Sequence, residues 1–525
     1  MPTYDEETRQ YLNSGFADRL EAIDNSTVNV IIQVDASDSE PLLAELERLP
    51  GVSARAENVT RGRFVPARVP VDEVERIANL DIVEKVHHDQ PSGVFAERSL
   101  ADAIRDFSLQ RDPVRGRVNS FLAHRLTPTD DLTDEIGIGF NEVPHLNYFQ
   151  GPLGDPIRVG MTAIQRTTGN EVSGIKFIPT GESVDWMLDG DIVDGDHGGN
   201  VEIAILDTGH TPVEPSEGRR LGYIESRVPG EPPLDGHAHG SWCTYTAVGK
   251  SAPSLWGRVD GVASGADYSH YKVLNVFPGF GRTSWIMKAM ERAVDRGADV
   301  VNLSLGAPQQ GPVDEDPYCQ LIDELCKENL GEDEGAIFVV AAGNSGPGRW
   351  TIGSPGVSPK ALTVASWSLT DEEPAVYSSR GPQGAYYDEH PDEYASDLAS
   401  HDSFEFVKPD VAAPGGGRAN DELTAELDEM LHQTCAGWLE GMYDGVKDTR
   451  GSMKGTSMSA PHVAGLVALL YEAGIVRNAR EVKEVVSEQE EIPEFTLATE
   501  SARETEEGKN IGVGFGPIRE STFMT

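Results

Sequence analysis

From Asn200 onward the chain alternates short apolar runs with amphipathic stretches. VEIAILDTG is an apolar run that ends in a turn. Ala266–Val273 (ADYSHYKV), Ala298–Leu305 (ADVVNLSL), Ala336–Ala342 (AIFVVAA) and Ala361–Ala365 (ALTVA) read as further strands. Trp285–Arg296 (WIMKAMERAVDR) carries its apolar residues at helical spacing. Strands without a polar face must be covered on both sides, and the intervening helices are the available cover. The pattern predicts an α/β fold with a mostly parallel sheet flanked by helices.

A different pattern precedes it. VNVIIQV (Val28–Val34) reads as a strand, and Leu42, Leu43, Leu46 and Leu49 as a helix ending at Pro50-Gly51. Strand-like stretches follow at Val52–Val59 and Arg63–Val69, then a helix carrying Val71, Val74, Ile77 and Ala78, then a strand at Ile82–Val86. The order β-α-β-β-α-β predicts a small α+β ferredoxin-like unit over residues 1–92. Residues 93–175, with a helical stretch near Leu100–Phe107, read as a connector or insertion, and 176–525 as the main domain. Connectors of that length are uncommon inside compact domains.

Charge narrows the class of function. The chain has 525 residues with 43 Lys plus Arg against 87 Asp plus Glu, a net charge of 43 − 87 = −44. Only 12 of the cations are lysine. That balance argues against binding nucleic acid by phosphate neutralisation and against docking on anionic lipid. It suits a salt-rich cytoplasm, where self-repulsion is screened. No apolar run of membrane-spanning length and no signal segment are visible, so a cytoplasmic location is expected, with packaging into a particle or export by another route as alternatives. Cys243, Cys319, Cys326 and Cys435 are too few for a disulfide framework, and reduced thiols are expected.

Three residues carry the chemistry. Ser457 stands in KGTSMSAPHVAG (Lys454–Gly465) at the expected start of a helix, where backbone N–H groups can hold developing negative charge. Asp207 ends the VEIAILD strand, at the sheet edge that hosts active sites in such folds. His239 lies in the loop DGHAHGSWC, suited to a general base. Each has a plain alternative: an N-cap serine, a turn aspartate, a surface histidine. Together they stand in the chain order Asp, His, Ser, one of the known orders of a serine-hydrolase triad.

With these residues in place the chain resembles the subtilisin-like serine proteases (subtilases, peptidase family S8). ILDTG and GTSMSAPHVAG resemble the family's Asp and Ser motifs. GVASGADYSHYKVLN (Gly261–Asn275), VDRGADVVNLSLG (Val294–Gly306), VVAAGNSG (Val339–Gly346), YSSRGP (Tyr377–Pro382) and KPDVAAPG (Lys408–Gly415) agree with further blocks, and GVGFGPI (Gly512–Ile518) fits the last segment loosely. The resemblance covers about residues 176–520. It implies Ser457 as nucleophile, His239 as base and then acid, Asp207 as the group that orients His239, and Asn344 with the Ser457 N–H as oxyanion hole. It implies Ser304, Leu305, Gly306 and Gly343 as substrate-binding positions, the first three as an edge that pairs with extended peptide. Protein or peptide substrates and the chain's own N-terminal unit are the implied partners. Phe64–Gln90 resembles an inhibitor-type prodomain, which implies a self-processing zymogen.

The sequence departs from the family in two places. After His239 it reads GSWCTY, with Cys243 expected as a buried thiol beneath the base. The stretch Gly416–Met453 is long, and Leu423, Leu427, Met430, Leu431 and Cys435 predict an extra surface helix, with a substrate gate as the sharper alternative. No cofactor is required, and metal ligands are not assigned. Structural Ca²⁺ is allowed by the family, but the Asp189, Asp191, Asp194 and Asp196 cluster lacks the EF-hand spacing. His87, His88 and His197 read as surface histidines. The competing functional reading is a catalytically silent subtilase-fold binding or structural protein. A third has the N-terminal unit inhibiting proteases in trans.

Overall fold

The computed structural model describes residues 27–34, 39–94, 171–172, 175–189, 199–210, 220–488, 505–506 and 509–523, with breaks at 238, 251, 255–256, 277–278, 310, 332–333, 370–371, 417–428 and 435–448. The expected helix near Leu100–Phe107, most of the connector, and His197 lie outside these residues.

The N-terminal unit runs β1 (Thr27–Val34), α1 (Glu40–Leu46), β2 (Ser53–Ala54), β3 (Phe64–Pro70), α2 (Val74–Ala78) and β4 (Val83–His88). Its sheet order is β2-β3-β1-β4, with β1 antiparallel to both neighbours. Val28, Val30, Ile32 and Val34 alternate along β1 into one core with Leu42, Leu46, Val74 and Ile77 of the two helices. Two boundaries differ from the sequence reading. Val52–Val59 forms only the two-residue β2, then a 3₁₀ turn at Ala56–Asn58. Val71–Glu73 is likewise 3₁₀ before α2 begins. His87 is buried rather than superficial, its Nε2 2.8 Å from Gln33 Oε1. The unit continues into a short strand, β5 (Pro91–Gly93).

The main domain contains β6 (Glu171–Val172), β7 (Ile175–Pro179), α3 (Thr180–Met187), β8 (Glu202–Asp207), β9 (Leu221–Ser226), α4 (His239–Val248), the hairpin β10 (Ala252–Ser254) and β11 (Gly257–Val259), β12 (Asp267–Lys272), β13 (Phe280–Arg282), α5 (Thr283–Asp295) and β14 (Val300–Leu303). Then come α6 (Pro317–Leu325), β15 (Ile337–Ala341), β16 (Leu362–Ser368), β17 (Glu373–Pro374), β18 (Val411–Pro414), β19 (Glu429–Thr434), β20 (Thr449–Met453), α7 (Thr456–Glu472) and α8 (Ala479–Ser487). The main sheet has the order β17-β16-β15-β14-β8-β12-β9, with β18 also on β16. Every pairing in it is parallel except β16 with β17.

The strands point alternate residues into two cores. Ile203, Ile205, Val339 and Val364 pack with α4, α7 and α8, while Ala204, Leu206, Phe338 and Val340 pack with α5 and α6. This two-sided burial is why the strands read as continuous apolar runs. Helix α7 is buried from Thr456 to Leu470, so its N-terminus enters the domain interior. Trp242 and Tyr245, unusual beside the expected base, are fully buried core residues of α4.

The extra helix expected from Leu423 to Cys435 is not what Met430 and Leu431 form. They lie on β19, antiparallel to β20 and parallel to β7. A short apolar run is ambiguous between helix and strand by periodicity alone, and two pairing edges decide for strand. Leu423, Leu427 and Cys435 lie outside the described residues.

The N-terminal sheet rests on α5 and α6. Asp89 accepts from the Ser284 N–H (2.9 Å) and hydroxyl (2.8 Å) at the start of α5. Arg63 bonds Glu324 (2.7 Å) and Lys85 bonds Glu315 (2.8 Å). Deep beneath β18, a single carboxylate holds three ammonium groups. Asp410 lies 2.8 Å from Lys408, 2.7 Å from Lys509 and 3.5 Å from Lys483, all with fully buried side chains. Burial alone would raise the Asp410 carboxyl; the lysines, Lys408 foremost, outweigh that and hold it below the usual carboxylate range. Burial pushes Lys509 down to about 8. Removing one partner of a buried ionic group strands the others. Asp410→Asn is therefore expected to lower unfolding free energy by about 3–5 kcal/mol, measured by guanidinium denaturation in an inactive Ser457→Ala background. A loss under about 1 kcal/mol would mean the ammonium groups are held by backbone carbonyls alone.

Candidate active site

Asp207 ends β8 with no exposed surface. Its two oxygens lie 2.8 and 3.0 Å from His239 Nδ1, and Oδ1 also accepts from the Thr208 N–H at 2.7 Å. His239 opens α4, so the helix start decides where the imidazole stands. That start is anchored by groups the sequence reading did not single out. Asp235 accepts from the Thr208 hydroxyl (3.0 Å), the His237 N–H (2.8 Å) and the Ser241 N–H (2.8 Å). The Thr208 hydroxyl accepts from the Gly240 N–H at 2.9 Å. The amides at the helix start thus find acceptors on the loop and strand that carry Asp207. The only sequence signal for Asp235 was a carboxylate four residues before His239.

Ser457 is the second residue of α7. Its hydroxyl donates to the Ser304 carbonyl at 3.0 Å, and the Ser304 hydroxyl donates back to the Ser457 carbonyl at 2.9 Å. Cys243 lies one helical turn below His239. Its Sγ is 3.8 Å from His239 Nδ1 and 3.4 Å from the Ser457 carbonyl oxygen. Burial, reinforced by the Asp207 charge, pushes this thiol far up, so it stays protonated. Among the described residues, the group of three donors close enough to share a metal ion is Asp207, His239 and Cys243. His239 Nδ1 is taken up by the two Asp207 oxygens, so the three groups form a hydrogen-bonded cluster. Cys243, Cys319 and Cys326 are all free and buried.

Asn344 is fixed from the side opposite its amide nitrogen. Its Oδ1 accepts from the Thr456 N–H and hydroxyl, both at 2.9 Å. Its Nδ2 faces Gly455, where an added Cβ would lie 2.9 Å away and where φ is +153°. Glycine there keeps the approach to the amide open. Gly343, at φ +113°, donates its N–H to the Thr456 hydroxyl at 3.1 Å. Thr456 therefore couples Gly343, Asn344 and the N-terminus of α7.

Leu305 buries its side chain in the core below. Gly306 exchanges two hydrogen bonds with Gly93, at 3.0 and 3.1 Å. On its other side β5 pairs antiparallel with β13, setting Gly93 against Phe280. Val94 donates to the Gly279 carbonyl at 3.2 Å. Residues Pro91–Gly93 thus lie as an extended strand with a partner on each side, β13 and Gly306. Of the acidic cluster, Asp189 is engaged by Ser521 and Arg519, and the other three aspartates lie outside the described residues.

Residues 198–492 match the model of the subtilase family, Peptidase_S8, which is more than half of the chain. The chain belongs to the subtilase family. It is 30% identical to the serine protease AprX of Bacillus subtilis over 304 residues, 55% of this chain and 61% of that protein. It is 32% identical to pyrolysin of Pyrococcus furiosus over 243 residues, 43% of this chain but 15% of pyrolysin. It is 29% identical to subtilisin E of Bacillus subtilis over 279 residues, 52% of this chain and 56% of subtilisin E. The chain thus spans at most about three fifths of these relatives. Among the described residues, no helix is long and apolar enough to cross a membrane.

A buried histidine lies further along α7. His462, one turn into α7 from Ser457, bonds Met458 O through Nδ1 (2.8 Å) and Ser183 Oγ through Nε2 (3.0 Å). Burial pushes it down to about 4. Below the unfolded value of about 6.5 the unfolded chain binds a proton that the folded one refuses, so stability falls with pH from there to about 4. In Ser457→Ala protein, His462→Gln should flatten the pH dependence of unfolding by up to about 1.4 kcal/mol per unit across that window. Equal slopes in the two proteins would show that His462 is protonated alike in both states.

Proposed function

We propose that the protein is a serine endopeptidase of the subtilase type, made as a self-processing zymogen and adapted to high salt. His239 takes the proton of Ser457 as the oxygen attacks a peptide carbonyl, then delivers it to the leaving amine. Asp207 keeps Nδ1 protonated, leaving Nε2 as the base, and stabilises the imidazolium that forms. Asn344 Nδ2 and the Ser457 N–H hold the oxyanion. Water then hydrolyses the acyl-enzyme through the same base. To react, the Ser457 hydroxyl must leave the Ser304 carbonyl that it bonds here and turn to His239.

The observation that carries the reading is the pairing of Asp207 with His239 in the cleft that Pro91–Gly93 occupies as a strand. An extended peptide held on both edges is how a substrate backbone is bound. It supports residues 1–92 as an inhibitory prodomain, and Ser304, Leu305, Gly306 and Gly343 as substrate-binding positions. The net charge of −44 supports work in a salt-rich cytoplasm.

A fluorophosphonate reagent in high salt should label wild type at Ser457 and leave Ser457→Ala unlabelled. Intact-mass analysis should show an N-terminal fragment lost from wild type only. No label and no cleavage would favour a silent binding protein. Asn344→Ala should lower kcat by about 10²–10³, a range itself established on a subtilisin, and cost about 1–3 kcal/mol of stability because Thr456 loses its acceptor. A change under about threefold would remove Asn344 from the oxyanion hole.

A further inference from the structure

The close fit around Gly93 has a steric cause. Gly93 does not lie in the left-handed region, so its backbone conformation is open to any residue. The obstacle is a side chain. A Cβ on Gly93 would stand 2.1 Å from Cδ1 and 2.6 Å from Cε1 of Phe280, and 3.1 Å from the Gly279 carbonyl oxygen. The Phe280 ring therefore lies across the α-carbon of Gly93. Both backbones are pinned: Gly93 pairs with Phe280 on one side and exchanges two hydrogen bonds with Gly306 on the other. A larger residue cannot slide away without breaking one of these ladders.

The neighbouring position is also crowded. A Cβ on Gly279, at φ +85°, would meet His237 Nε2 at 2.8 Å and Val94 Cγ2 at 3.0 Å. Val94 is buried there. The strand in the cleft is thus gripped at two successive residues, and Phe280 is the half-buried wall of the first.

We propose that Phe280 is a specificity-determining residue that makes this cleft select glycine at the position held by Gly93. The preferred substrates are extended segments in which glycine sits opposite Gly306. A residue with a Cβ is accepted only when the Phe280 ring swings out, which gives up its contact with the bound strand. This rests on the endopeptidase reading, since it names the substrates of that same site.

The test uses mature enzyme and two peptides. One carries the chain's own sequence from Gln90 to Glu97, Gln-Pro-Ser-Gly-Val-Phe-Ala-Glu; the other has alanine in place of the glycine. Wild type should prefer the glycine peptide by tenfold or more in kcat/KM. Phe280→Ala should reduce that preference to threefold or less, mainly by accepting the alanine peptide better. Equal use of both peptides by wild type, or an undiminished preference in Phe280→Ala, would overturn the proposal.

A second measurement needs no catalysis. In full-length Ser457→Ala protein, hydrogen exchange at the Gly306 amide should quicken about tenfold on Gly93→Ala. Protection should return when Phe280→Ala is added. Unchanged protection in Gly93→Ala would overturn the steric argument whether or not the protein is a protease, whereas fluorophosphonate labelling of Ser457 tests the protease reading by itself.

Discussion

Asp207 has no surface in contact with water, so its oxygens must find donors within the protein. They find His239 and the Thr208 N–H. Much of the local architecture follows from meeting that demand. His239 must open a helix, the loop before it must return to β8, and Asp235 must hold that loop with three accepted hydrogen bonds. Lys272, at the end of the neighbouring strand, donates to the Thr208 carbonyl and closes the turn from the other side. One buried carboxylate is thus tied to a strand end, a loop and a helix start.

The other half of the site hangs on α7. A helix buried from its first residue must have its terminal amides and hydroxyls satisfied by neighbours. Thr456 does this through Asn344 and Gly343, and Ser457 through Ser304. These neighbours belong to segments that follow β14 and β15, adjacent parallel strands. The groups proposed for the oxyanion hole and for the peptide-binding edge are therefore set by the same packing that buries α7. Cys243 links the halves, with its sulfur between the base and the backbone of Ser457.

A strongly acidic chain keeps several of its few lysines in the interior. Three of only 12 lysines converge on Asp410, fastening β18, α8 and the segment at Lys509 to one point. At the surface, the N-terminal unit offers Arg63 and Lys85 to Glu324 and Glu315 of the main domain. Those pairs are partly exposed and open to screening by salt, whereas the Asp410 cluster is not. The backbone pairing of β5 with β13 and Gly306 does not depend on ionic strength in the same way.

The alternation of apolar runs and helices was enough to predict the sheet and its flanking layers, because strands covered on both faces leave no polar period to read. The six-part order of the N-terminal unit was equally legible. Asp207, His239 and Ser457 stood out by their places at a strand end, in a loop and at a helix start, in the chain order of a known triad, whereas Asn344 came only through the family resemblance. Met430 and Leu431 misled, since a short apolar run carries no period of its own and only β7 and β20 made it a strand. His87 misled for the complementary reason: a polar residue in sequence says nothing of the Gln33 partner that lets it be buried. Asp235 meets Thr208 across 27 positions of chain and Thr456 meets Asn344 across 112, while Phe280 and Gly93 stand 280 − 93 = 187 positions apart. Local chemistry fixes periodicity and motifs, and these lie in the order of residues. Long-range contacts are decided by how the layers pack, and only the tertiary structure brings the Phe280 ring over Gly93 or the Asn344 amide to the head of α7.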